Sequence, residues 1–257
     1  MDLSLTTILL LFIASGFAGL VDSMAGGGGL IQLPALLVAL PHTQTATVLG
    51  TSKLASFIGT SNSVAIYVRR RRPDWKLTGA MSIPAFFGAM AGATAASNFP
   101  KESARPFVLA MLILVALYTW RKKNLGLQEN LRFARQRSLV IGMSSGLVIG
   151  FYDGIFGPGT GSFLMVVLVA VIGMEFIDAT VTTKITNWAA NLGGLIIFGI
   201  NGHLLWLLAL TMAIANVTGN HIGARLVLRG GSEFVRRAFL VVTLVLIIKL
   251  AIDTVRH

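Results

Sequence analysis

Long apolar runs alternate with short polar stretches along the chain and divide it into ten segments. In the first half they lie near 5–21, 30–40, 45–68, 77–96 and 105–120. In the second they lie near 138–152, 162–173, 176–200, 204–227 and 234–252. A helix needs about 20 apolar residues to cross the hydrocarbon core, so the third, fourth and fifth segments of each half read as spanning helices. The second segment is only half that length. With the first segment, and broken from it by MAGGGGL or FGPGTGS, it predicts a re-entrant hairpin or a broken helix pair. The pattern is that of an all-α integral membrane protein.

The two halves match at a constant offset of 131 residues. Gly19, Asp22, Gly26 and Gly28 fall on Gly150, Asp153, Gly157 and Gly159. Thr51 and Lys53 fall on Thr182 and Lys184, Trp75 on Trp206, Gly88 and Gly92 on Gly219 and Gly223, and Glu102 and Arg105 on Glu233 and Arg236. Apolar residues match by chance in such a chain, but Asp, Lys and Trp are scarce here. The organisation is therefore a first transmembrane repeat over 1–120, a basic linker over 121–137 and a second repeat over 138–257.

Composition narrows the class. Of 257 residues, 54% are hydrophobic and 12% charged, about half the charged share of a soluble domain. With no cysteine, disulfides, thiol catalysis and thiolate metal sites are excluded. His42, His203, His221 and His257 have no metal-ligand spacing, and no cofactor motif is present. The N-terminal segment lacks a basic n-region, so it reads as a retained helix and not a cleaved signal.

The net charge of +11 is concentrated. Fifteen of 21 Lys and Arg fall in 69–76, 121–137 and 225–237, each beside long apolar runs. Basic residues bias loops to the cytoplasm, whereas a nucleic-acid surface would interleave them with exposed aromatics. The bilayer is the expected partner and nucleic acid is not. Stretch 69–76 holds five positive charges, and its repeat mate 200–207 holds none. Equivalent loops thus lie on opposite sides, which predicts inverted-topology repeats, with the three basic loops cytoplasmic and both termini outside.

Lys53 and Lys184 each lie eight residues into their helices, about 12 Å deep. An ionisable residue at that depth costs at least about 2.5–3.5 kcal/mol. Both read as positive charges for an anionic substrate; pairing with Asp22 or Asp153 is the structural alternative. Lys53, Ser56 and Thr60 are spaced i, i+3, i+7, and Lys184, Asn187 and Asn191 repeat the spacing, so each helix presents one polar face. Such a face either lines a cavity or bonds neighbouring helices.

Gly26, Gly28, Gly157 and Gly159 leave backbone N–H groups open where a short helix begins, with the positive end of its dipole at the membrane centre. Two such ends and two lysines make an anion site. Asp22 and Asp153 precede the glycines and serve as counter-charges, caps or proton carriers. Gly88-x-x-x-Gly92 and Gly219-x-x-x-Gly223 read as helix contacts. No Gly-Lys-Ser/Thr follows either glycine stretch, so a nucleotide-driven mechanism has no phosphate loop.

The stretch GLVDSMAGGGGLIQLPALL followed by GTSK, and the second copy GFYDGIFGPGTGSF followed by TTKITN, resemble the TauE/SafE family of sulfite and organosulfonate exporters. The resemblance covers nearly the whole chain. It implies a multi-pass permease of a cell (inner) membrane that moves small sulfur-containing or carboxylate anions. Together with the repeats, it predicts a secondary transporter working by alternating access, coupled to protons or to the membrane potential. An anion channel with the same site is the alternative, and a non-transporting assembly factor a third. An enzyme lacks any nucleophile–base pair or metal cluster at membrane depth.

Overall fold

A computed structural model of the chain describes residues 4–96 and 126–255. The expected segment 105–120, Glu102, Arg105 and the start of the basic linker lie outside the described residues. Among those described, secondary structure is helical throughout.

Helix α1 (Leu5–Ala25) begins at Ser4, whose hydroxyl accepts from the Thr7 N–H, and stops at Gly26, whose φ of 72° breaks the ladder. At 21 residues it measures about 31 Å, enough to cross the hydrocarbon core. Helix α2 (Gly29–Ala39) has 11 residues, about 16 Å. The first pair is therefore a full-length helix followed by a half-length one. In sequence the glycine break looks the same whether the preceding helix crosses or turns back.

Helices α3 (Thr45–Arg70) and α4 (Trp75–Ala95) follow, with Asp74 capping α4 by accepting from the Lys76 and Leu77 N–H groups. In the second repeat, α5 (Arg135–Ile155) corresponds to α1. Helix α6 (Thr160–Val166) continues as a π-helical turn over Val167–Ile172, stopped by Gly173 at φ 96°. Helix α7 (Phe176–Ile200) corresponds to α3. Helix α8 (Trp206–Val255) is broken at Gly231, where φ is 67°, between the expected segments 204–227 and 234–252.

Among the described residues, three helices are both long and apolar enough to cross a membrane: Leu5–Met24, Trp75–Ala95 and Arg135–Ile155. Helices α3 and α7 are longer, but their Lys, Ser, Thr and Asn residues lower their hydropathy. Their neighbours shield them, so they need not be apolar all round. The radial distribution is that of a membrane protein. Phe17 and Val148 are 62% and 67% exposed, whereas Lys53 and Lys184 are 5% and 0% exposed.

Helix packing relies on glycine. A Cβ at Gly150 would strike the Ala85 carbonyl, and one at Gly88 the Leu147 carbonyl, so α4 and α5 meet backbone to backbone. Moved by the repeat offset, the same contacts join α1 to α8: Gly19 against the Asn216 carbonyl and Gly219 against the Gly16 carbonyl. Residue numbers rise together along both pairs, so each pair is parallel. They also rise together along α3 and α8, where Thr51 Oγ1 accepts from the Leu205 N–H and Asn62 meets His221. Between α3 and α7 they run in opposite senses, since Gly194 lies against the Lys53 stem and Trp188 donates to Ser61.

Candidate functional site

The two glycine loops meet at the centre of the bundle. Gly26 packs against the Gly161 backbone, where any side chain would collide, and its φ of 72° belongs to the left-handed region. Gly157 and Gly159 take φ values of 84° and 86°. The half-length helices α2 and α6 therefore both start at this crossing, as the sequence pattern anticipated.

Two ion pairs bridge the repeats here. Lys53 Nζ on α3 lies 2.5 Å from Asp153 Oδ2 at the end of α5. Lys184 Nζ on α7 lies 2.8 Å from Asp22 Oδ2 at the end of α1. Each is the other's image under the repeat offset. Neither lysine snorkels; both are buried and neutralised by the opposite repeat. A pair this deep is stable only when its remaining polar atoms are also satisfied. Thr160 Oγ1 donates to Asp153 Oδ1 at 2.9 Å, and Thr60 Oγ1 to Asp22 Oδ2 at 3.3 Å.

A cavity of about 40 Å³ opens beside the crossing. Of the expected site residues, Lys53, Ser56, Asn187, Asn191, Gly26 and Gly157 line it, together with Asp22 and Asp153. The other four do not line it. Lys184 is held by Asp22, and Thr60 is fully buried and donates to the same carboxylate. A Cβ at Gly28 would strike the Ala18 carbonyl, and Gly159 sits against Leu30 and Phe163.

Sequence reasoning passed over Gln32, a lone polar residue in the apolar helix α2. It is fully buried, and its Nε2 donates to the Ser52 carbonyl at 2.8 Å and to Ser52 Oγ at 3.0 Å. Its Oε1 accepts from Ser15 Oγ and from Asn216 Nδ2. Gln32 thus ties α1, α2, α3 and α8 together and bonds Ser52, which lines the cavity. The signal was an amide in an otherwise apolar 11-residue helix, where an unsatisfied polar group is costly. Thr160 is also outside the sequence-derived set, since it lies in the second glycine stretch and not on a lysine-bearing helix.

The sequence pattern of the family described as "Sulfite exporter TauE/SafE" matches residues 11–250. The chain belongs to the TauE/SafE family. Among its relatives, the probable membrane transporter protein ORF9 of Sinorhizobium sp. is 35% identical over 253 residues, which is 98% of this chain and 95% of that protein. The probable membrane transporter protein YfcA of Escherichia coli K12 is 33% identical, over 95% of this chain and 89% of that one. YunE of Bacillus subtilis, also described as a probable membrane transporter protein, is 26% identical over 85% of this chain and 88% of its own length. No solved structure matches the chain significantly. Like its TauE/SafE relatives it is a multi-pass membrane transporter and not an enzyme.

Proposed function

We propose that the protein is a secondary transporter that exports small sulfur-containing or carboxylate anions, such as sulfite or sulfonates, by alternating access between two inverted repeats. It works in the cell (inner) membrane with loops 69–76, 121–137 and 225–237 cytoplasmic. The observation that carries this reading is the pair of interchanged Lys–Asp bridges beside a small polar cavity at the meeting of two half-length helices. Support for the inversion comes from helix directions: α3 and its repeat mate α7 run in opposite senses, while α4 and α5 run together.

At this site Lys53 offers positive charge to an entering anion, and Ser56, Asn187 and Asn191 offer hydrogen bonds. The lysines and aspartates already balance, so an anion adds a negative charge in excess. Coupling to protons or to the membrane potential runs through Asp22 and Asp153, the two carboxylates that line the cavity.

The test is flux into proteoliposomes of purified protein, with labelled sulfite, sulfate, taurine and acetate, with and without a pH gradient. A carrier gives saturable flux, counterflow and acceleration by protons on the loading side. Lys53→Ala should lower the rate by about tenfold or more, the scale of one lost charge-assisted contact. Unsaturable flux with large single-channel currents would make the protein a channel. Full flux in Lys53→Ala would place the site elsewhere.

A further inference from the structure

The repeat symmetry and the cavity disagree. Four symmetry-related couples line the cavity from both repeats: Asp22 with Asp153, Gly26 with Gly157, Gly29 with Thr160, and Ser56 with Asn187. The remaining lining on α2 and α3 comes from the first repeat alone, through Leu33, Leu49, Ser52 and Lys53. Their mates at the offset of 131, Leu164, Thr180, Thr183 and Lys184, are all buried. Asn191 lines the cavity on α7, and its mate on α3, Thr60, is buried. Five couples are therefore split in the same sense.

The split has a direction. Helix α3 ends at Arg69 and Arg70, in the loop assigned above to the cytoplasm. Leu49, Ser52 and Lys53 lie toward its other end, and Asn191 lies toward the matching end of the antiparallel α7. The cavity is displaced toward the outer side, and the sealed mates lie toward the cytoplasm. A second, independent observation marks the sealed side. Ser52 Oγ accepts from Gln32, but its mate Thr183 carries a fully buried Oγ1 with no hydrogen-bond partner among the described residues. The mate of Gln32 is Phe163, which cannot supply one.

We infer that, given the alternating-access reading above, Leu164, Thr180, Thr183, Lys184 and Thr60 form a second half-site for the same small anions, exposed to the cytoplasm when the repeats exchange conformations. The bridges exchange with it. Lys184 then joins Asp22 in lining the cavity, with the Thr183 hydroxyl free to meet water or substrate, while Lys53 is sealed off. The anion passes between two lysines, and the shared residues Asp22, Asp153, Ser56 and Asn187 remain in contact with it in both states.

The chain has no cysteine, so single cysteines report directly. Ser52→Cys and Thr183→Cys, with Leu49→Cys and Thr180→Cys as a second couple, are reacted with a membrane-impermeant maleimide in spheroplasts and in inverted vesicles. Ala190→Cys, buried between the repeats, sets the background. Cysteines at 52 and 49 should react only from the outer face, and those at 183 and 180 only from the cytoplasmic face. A minor state populated at about 0.1–10% makes the second pair about 10- to 1000-fold slower than the first.

Reaction of 183 and 180 no faster than Ala190→Cys, or from the outer face, overturns the second half-site. The two couples guard against a single variant that fails to fold. No anion enters this experiment, so its failure alongside saturable flux would remove the second half-site and leave the transporter. Sided labelling without flux would leave the two half-sites and remove the anion.

Discussion

Lys53 and Lys184 illustrate what a buried charge demands of its surroundings. Removing one partner of a buried pair leaves the other unpaired, which costs about 3–5 kcal/mol. Asp153→Ala should therefore lower the thermal unfolding temperature of the purified protein much more than the double substitution Lys53→Met with Asp153→Leu. Equal losses in the two variants would mean that the pair does not hold α3 to α5. The charge pattern made the two lysines legible in the sequence as functional candidates. Their partners were legible only as a choice between Asp22 and Asp153. The choice depends on a contact across 100 residues, which local spacing does not encode. Gln32 has no such signal, because its repeat mate is the apolar Phe163.

Among the helices, small residues decide how closely the backbones approach. Gly150 has the Ala85 carbonyl where its Cβ would stand, whereas Gly79 on α4 has nothing within 4 Å. Gly150→Ala should destabilise the protein by about 1–3 kcal/mol through overpacking. Gly79→Ala should instead stabilise it by about 0.5–1 kcal/mol through helix propensity. Thermal unfolding of the two variants in one detergent checks both signs. The length and apolarity of the runs gave the ends of the described helices to within about four residues, including the half-length α2. What they could not give was the left-handed geometry of the breaks, because Gly26, Gly157 and Gly159 would read the same in any turn. The π-helical turn over Val167–Ile172 was equally hidden, since its residues are as apolar as those of an ordinary helix.

Across the whole molecule, neither repeat is a structural unit by itself. Helix α1 packs on α8, α4 packs on α5, and each buried lysine finds its carboxylate in the opposite half. The order of synthesis makes this a problem of timing. Lys53 leaves the ribosome 100 residues before Asp153, a gap of about 5–20 s at ordinary elongation rates. Throughout that interval the nascent first half carries an unmatched lysine and an unmatched aspartate that the bilayer does not tolerate. Fragments 1–122 and 123–257 made separately should be cleared by membrane proteases, and made together they should accumulate as a complex. Stable accumulation of either fragment alone would show that the crossed bridges are dispensable for assembly. The insertion machinery, or a water-filled space beside it, must therefore shelter a half-built polar core until the second half arrives to close it.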